Sequence, residues 1–225
     1  RAAHAFNTMQ SRLVSYIQDR TRILAAMSHD LKTPITRLRL RAELLEDDDH
    51  RARFVKDLEE MESMVAATLD FMRGVDNPEP VQPMDIMALL ESLQADAAEI
   101  GQQVSLEGVV ARPYPCKPAA LKRCLGNLID NAVKYGKNAT IIVDDHDKQL
   151  QIHILDNGQG ISEAELERVF EPFYRLESSR SRDTGGTGLG LGIARNIAQM
   201  HGGDLLLRNR SCGGLEAILT LPRRS

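Results

Sequence analysis

The sequence predicts an α+β protein in two parts, an antiparallel helical hairpin followed by a mixed α/β domain. Three observations predict it. Apolar residues recur at heptad spacing over residues 9–73, the signature of helices packed side by side. The run Gly-Val-Asp-Asn-Pro-Glu-Pro-Val-Gln-Pro at 74–83 then ends the pattern, because three prolines forbid helix and stiffen a linker. Beyond it, two-residue alternation is interleaved with helical stretches, as expected of helices layered on one face of a mixed sheet. The boundaries follow: a leading helical tail at 1–12, the hairpin at 13–75, the linker at 76–83 and the α/β domain at 84–225.

The first helix carries Ile17, Leu24, Leu31, Leu38 and Leu45 every seven residues, supplemented by Leu13, Met27 and Ile35. The second carries Phe54, Leu58, Met61, Val65, Thr68 and Met72, alternating by four and three. Asp47-Asp48-Asp49-His50 is the polar turn between them. Two helices bury only one seam each, so a second copy is expected to complete a dimeric four-helix bundle. In the α/β domain, Asp85 is placed to cap a helix over 86–100, and Pro118 to start one over 118–134. Ala139–Asp144 and Gln149–Leu155 alternate as paired strands. Ser162 is placed to cap a short helix to Phe170. Residues 188–201 read as a helix ended by Gly202-Gly203, with further strands at Asp204–Arg208 and Ala217–Leu221.

Composition bounds the function. The chain has 225 residues, 42% hydrophobic and 27% charged, so a core can form. The net charge of −4 carries no basic excess and argues against a nucleic-acid binder. No run of about 18 apolar residues marks a membrane span, and no signal peptide is visible. The first residue is Arg rather than Met, which reads as a fragment of a longer chain. Cys116, Cys124 and Cys212 are odd in number and widely spaced. They are expected to be reduced packing residues rather than a disulfide framework or zinc site.

Four blocks carry chemistry. In Ser28-His29-Asp30-Leu31-Lys32-Thr33-Pro34, a His stands beside an acid with a hydroxyl four residues on, an arrangement suited to placing and removing a phosphoryl group. His29 lies roughly 200° around the helix from Leu31 at ~100° per residue, so it is expected to face solvent. Thr33 shares its face one turn along, and Pro34 cannot donate a backbone bond, so a bend is expected there. Second, Asn127 and Asn131 are four apart on one helix, and their amide oxygens suit Mg²⁺; Lys134 can meet a phosphate, and Tyr135 offers a flat face to a base. A buried Asn can equally serve helix packing. Third, Asp156 ends an apolar strand and opens into Asn-Gly158-Gln-Gly160, where a carboxylate can accept from an exocyclic amine, although Asp-Asn-Gly is also a common turn. Fourth, Gly185–Gly190 is a glycine-rich stretch before a helix, able to offer N–H groups to phosphates. It is neither a Walker loop nor a dinucleotide fingerprint.

In this order the blocks resemble a bacterial sensor histidine kinase, the ATP-consuming half of a two-component system. The α/β domain resembles the sandwich shared by histidine kinases, type II topoisomerases and mismatch-repair ATPases. The resemblance implies ATP and Mg²⁺ as cofactors, His29 as phosphoacceptor, Asp30 as the acid that orients it, and Thr33 as the hydroxyl serving dephosphorylation of a receiver. It implies Asn131 and Asn127 as metal ligands and Lys134 as a phosphate contact. Tyr135 would stack on adenine and Asp156 would read it, with Gly158, Gly160 and Ile161 beside the base. Tyr174 and Arg175 close the aromatic block Phe170-Glu-Pro-Phe-Tyr-Arg, with Arg175 approaching phosphate. A lid would span 176–187, bearing Arg180 and Arg182, and Gly186, Thr187, Gly188, Leu189, Gly190 and Leu191 would line the phosphates. Glu216 stands where many relatives carry an aromatic, a change expected to affect packing more than chemistry. Residues 1–12 resemble the tail of a membrane-proximal relay helix. The implied partners are a second copy, through the hairpin, and a response-regulator receiver domain, with no nucleic acid. The implied location is the cytoplasmic portion of an inner-membrane receptor, joined to the membrane only through segments outside this sequence. A dimerisation-gated ATPase of the same fold accounts for the nucleotide blocks but not for His29 with Asp30 and Thr33, and a non-catalytic ATP-sensing scaffold predicts the loss of some ligand residues, yet none of the expected positions is missing.

Overall fold

A computed structural model describes residues 2–73, 79–176 and 187–223, with side chains at only part of the hairpin. The chain divides into two units, a helical hairpin and an α/β unit. In the first, α1 (Ala2–Ala42) and α2 (Asp48–Arg73) pack against each other. The break falls earlier than the sequence suggested. Residues 43–47 form the turn, and the Asp47 carboxylate accepts from His50 N–H at 3.0 Å. Asp48, Asp49 and His50 therefore belong to the first turn of α2, where the acids favour the positive end of the helix dipole. α1 is continuous through Pro34, with Thr36 Oγ1 donating to Lys32 O at 3.0 Å.

The hairpin's own core is not the Leu31–Leu38–Leu45 ladder. Ile35, Ala42 and Leu58 are buried, with Val55 and Val65 packed against them. Leu31 and Leu38 are each 46% exposed, Met27, Phe54 and Met61 are exposed, and Leu45 lies in the turn. A heptad helix presents two apolar rows, and a hairpin of two helices uses only one of them.

The α/β unit is built on a five-stranded mixed sheet. Its strands are β2 (Gln103–Gly108), β4 (Asn138–Asp145), β5 (Gln149–Leu155), β6 (Asp204–Asn209) and β7 (Leu215–Pro222), in the order β2-β4-β5-β7-β6. Only the β2–β4 pair is parallel. Strands β1 (Gln82–Met84) and β3 (Tyr114–Cys116) form a separate antiparallel pair. The segments β1, β2 and β3 were not anticipated from the sequence. Helices α3 (Ile86–Glu99), α4 (Pro118–Gly136) and α5 (Gly190–Met200) supply the covering layer. Alternate residues Ile141, Val143, Leu150, Ile152 and Ile154 are buried, as are Leu90, Leu121, Leu125, Leu128 and Ala194 of the helices. That is the one-sided burial expected of a sheet with helices on a single face.

Each helix end has a cause. The Asp85 carboxylate accepts from Ala88 N–H at 3.1 Å, capping α3 as expected. Pro118 opens α4, whose next two N–H groups donate to the Glu79 carboxylate: Ala119 at 2.7 Å and Ala120 at 3.2 Å. Lys117 N–H donates to His201 Nε2 at 3.1 Å, while His201 Nδ1 lies 2.8 Å from Ile197 O. The expected helix from Ser162 to Phe170 is instead two 3₁₀ turns, Glu163–Glu165 and Arg168–Phe170. The Ser162 hydroxyl donates to the Glu165 carboxylate rather than to the backbone, and so short a segment closes too few bonds to offset α-helix nucleation. Cys116 and Cys124 are buried packing residues, with burial holding their thiols up at about 11 and about 12, aided at Cys116 by Glu79. Cys212 departs from that expectation, being exposed on the turn after β6.

Candidate nucleotide site and phosphoacceptor helix

On the hairpin, His29, Asp30 and Thr33 lie in α1, with Asp30 and Thr33 exposed. The His29 ring lies outside the described side chains. The α/β unit places the remaining candidates around α4. Asn127 and Asn131 stand one turn apart, both half-buried, and Asn127 Nδ2 donates to Gly190 O at 3.3 Å. That bond ties the start of α5 to α4, and among the described residues nothing donates to Asn127 Oδ1. The Lys134 ammonium lies 5.2 Å from the Tyr135 ring centre, and Tyr135 is 40% exposed, leaving a face open.

α4 ends directly against the Asp156 turn. A Cβ at Gly136 would lie 2.5 Å from Asp156 Cβ, and one at Gly158 would lie 2.7 Å from Tyr135 O. Gly136 is thus a site residue that the motif blocks missed. Asp156 is 5% exposed. Its Oδ1 accepts from Gly158 N–H at 2.7 Å and Leu215 N–H at 3.1 Å. Among the described residues nothing donates to Oδ2. Gly160 (φ +74) and Ile161 follow, and the Asn209 amide clasps Ile161, accepting from its N–H at 2.9 Å and donating to its O at 2.7 Å. A cavity of about 600 Å³ lies here, lined among others by Gly160, Ile161, Glu165, Leu176, Asn209 and Arg210. It shares Gly160 and Ile161 with the candidate set, while Asn131, Tyr135 and Asp156 do not line it.

The Tyr174 hydroxyl donates to Glu165 at 3.1 Å, and its ring lies 4.5 Å from the Arg168 guanidinium carbon. Arg175 follows, half-buried. Phe173, at φ +65, donates its N–H to Gly188 O at 3.0 Å, and Gly188 (φ +69) sits where a Cβ would be 2.9 Å from Tyr174 O. Phe173 and Tyr174 therefore lie directly against Gly188. Gly186, Arg180 and Arg182 lie outside the described residues. Thr187 and Leu191 are half-buried and Leu189 is fully buried before and within α5. Glu216 lies on β7. It is buried and charged, at 2.7 Å from His153 Nδ1 and paired with Arg208. Burial pushes its carboxyl up, but Arg208 and His153 outweigh that and hold it below the ordinary range.

Residues 19–75 match the family model of the His Kinase A (phospho-acceptor) domain, and residues 116–225 that of the histidine kinase-, DNA gyrase B-, and HSP90-like ATPase. Sensor histidine kinase GtrS of Pseudomonas aeruginosa is 48% identical over 98% of this chain and 46% of its own length. Sensor histidine kinase CpxA of Escherichia coli K12 is 29% identical over 98% of this chain and 51% of its own. The chain spans about half the length of the curated relatives it matches. Full-length ShkA in complex with AMPPNP superposes with a TM-score of 0.74 over 90% of this chain and 46% of that one, at 21% identity, which is a likeness of fold. The ATP binding domain of PrrB from Mycobacterium tuberculosis gives 0.52 over 64% of this chain and 98% of that one, at 34% identity.

Proposed function

Because this chain belongs to the sensor histidine kinases, we propose that it is an ATP:protein-histidine phosphotransferase that phosphorylates its own His29. The observation that carries the reading is Asp156: two backbone N–H groups occupy one carboxylate oxygen, and the other is left to accept from the exocyclic amine of adenine. Tyr135, whose backbone carbonyl lies against the same turn at Gly158, offers its half-exposed ring as the stacking face.

The donor set fits Mg²⁺. Asn131 and Asn127 present neutral oxygens one turn apart on α4, and because Asn127 Nδ2 is engaged by Gly190 O, its Oδ1 is the atom facing a cation. Bound there, Mg²⁺ would neutralise charge on the phosphate oxygens. Lys134 and Arg175 would add positive charge, and Gly186, Thr187, Gly188, Leu189, Gly190 and Leu191 would bring N–H groups to the phosphates.

In the transfer, the bond between the γ-phosphorus and the ADP oxygen breaks as a bond to an imidazole nitrogen of His29 forms, and ADP leaves. The ring is nucleophilic at one nitrogen when the other holds the proton. Asp30 would accept from that N–H, orienting the ring. The phosphoryl group would then pass to an aspartate of a response-regulator receiver domain. Thr33, exposed one turn along, would align water for the phosphatase reaction on that receiver. The exposed row Leu31, Leu38, Phe54 and Met61 supports a homodimer through the hairpin. No described helix is long and apolar enough to cross a membrane, so attachment to a membrane would rest on other segments of the full-length receptor.

Incubation with radiolabelled ATP and Mg²⁺ tests the assignment. Acid-labile, base-stable label on the chain, absent from His29→Gln although that variant still binds ATP, is the expected result. Persistent acid-labile label on His29→Gln would overturn it.

A further inference from the structure

The turn joining β6 to β7 belongs to none of the four sequence blocks, yet it holds Asp156 on three sides. Asp156 N–H donates to Leu215 O at 2.9 Å, and Leu215 N–H returns a bond to Oδ1 at 3.1 Å. Arg210 Nη1 donates both to Asp156 O at 2.6 Å and to Asn157 Oδ1 at 2.9 Å. Gly214, at φ +91, sits where a Cβ would fall 2.0 Å from that same carbonyl oxygen. The turn is closed on itself by Arg210 N–H to Gly214 O at 3.0 Å and Gly213 N–H to Arg210 O at 3.1 Å.

A carboxylate swings readily about its last torsion, where the energy profile is broad and two-fold. It discriminates between ligand edges only if one oxygen is held while the other is presented. Leu215 N–H is one of the two donors that hold Oδ1, and its place depends on the turn. Arg210 fastens the turn to the main-chain carbonyl of Asp156 and the side-chain oxygen of Asn157, so a shift of the turn must break charge-assisted bonds.

We propose that Arg210 is a positioning residue for base recognition: by locking the 210–215 turn onto Asp156, it fixes Oδ2 toward the base and sets the preference of the site for a 6-amino purine. This rests on the reading of Asp156 given above. Loss of the lock lets the carboxylate swing, so the bond to the amine weakens while phosphate contacts persist.

The test compares dissociation constants of Mg-ATP and Mg-ITP by calorimetry on the whole chain. ITP differs in carrying an oxygen where adenine carries the amine. The native chain should favour ATP, and Asp156→Asn should abolish that preference. Arg210→Met should lower the ITP/ATP ratio about tenfold, through weaker ATP binding with ITP unchanged. Arg210→Lys, whose single ammonium cannot serve both oxygens as rigidly, should fall about threefold; it also carries the test should Arg210→Met fail to fold. An Asp156→Asn chain with native preference would sink the reading of Asp156 and this inference with it. If Asp156→Asn loses the preference but the Arg210 variants keep the native ratio, or weaken both nucleotides equally, Arg210 is only structural and the inference alone fails.

Discussion

At the scale of single residues, the two asparagines of α4 separate into different tasks. Asn127 donates to Gly190 O, so its amide joins two helices in addition to the metal-binding role proposed for it. Asn127→Ala should weaken Mg-ATP binding and also lower stability by about 1 kcal/mol, the net worth of a hydrogen bond whose partner is left half-buried. Asn131→Ala should remove Mg-ATP binding with little change in melting temperature, and calorimetric titration beside thermal denaturation separates the two. Gly136→Ala makes a sharper residue-scale case. Its methyl would meet Asp156 Cβ at 2.5 Å and the backbone Asn157 N at 2.8 Å. Overpacking of this kind costs about 1–3 kcal/mol, and Asp156 is what must move. ATP affinity should fall with stability, a coupling visible as parallel losses in titration and melting; unchanged ATP affinity would count against the packing argument. The chemistry-bearing side chains were legible in the sequence because spacing alone put Asn127 with Asn131 and Asp156 at a strand end. Gly136 and Arg210 were not, because each works through a backbone approach or a main-chain carbonyl, and such contacts leave no trace in residue type.

At the scale of elements, α4 explains why some of the fold was legible and some was not. Its start was read from Pro118, a local signal that survives in a linear string. Its capping was not, because the acceptors come from far along the chain: Glu79 takes Ala119 and Ala120, and His201 takes Lys117. The missed strands follow the same logic. β2 alternates only at Val104 and Leu106 among polar residues and a glycine, and β1 and β3 each carry a Pro, a residue disfavoured in strand interiors. Leu45 at the end of the heptad series and the acid run at 47–49 pulled the hairpin turn too late, since an Asp before a helix is a cap and the Asp residues after it belong inside. Glu79 stands at the entry to the α/β unit and closes the end of the helix whose other end carries Tyr135. Glu79→Ala removes a charged acceptor from two N–H groups and should cost about 1 kcal/mol, a drop of roughly 2–4 °C in the melting of a unit of this size. A melting curve superposable on the native one would show that water replaces the carboxylate without loss.

At the scale of the whole molecule, the two units are stabilised by different physics, and each can be disturbed alone. In the α/β unit, Arg223 near the C-terminus is paired with Asp145 at the end of β4, with side chains only 4% and 6% exposed, and it also donates to Arg112 O. Burial pushes the Asp145 carboxyl up, but the Arg223 and Ala111 hydrogen bonds and the charges of Arg223 and Arg112 outweigh it, and the net shift is below its ordinary 3.8. A depressed folded-state value contributes stability that is present above 3.8 and is lost as pH falls through the folded value. Arg223→Met should therefore lower stability at pH 7 by about 3 kcal/mol, as expected for stranding one buried charge, and flatten the acid limb of stability below pH 4. In the hairpin the test is positional. Leu38 is exposed in the single chain whereas Ile35 is buried between the helices, although both are apolar and three residues apart. Leu38→Glu should therefore convert a dimer to a monomer in sedimentation while each hairpin stays helical by circular dichroism, since Leu38 is not among the residues of the hairpin's described core. Ile35→Glu should unfold the hairpin outright by burying an unpaired charge. Both variants should still bind ATP, because Asn131, Tyr135 and Asp156 lie in the other unit. A Leu38→Glu chain that remained dimeric would show that the exposed leucine row is not the face on which two copies meet.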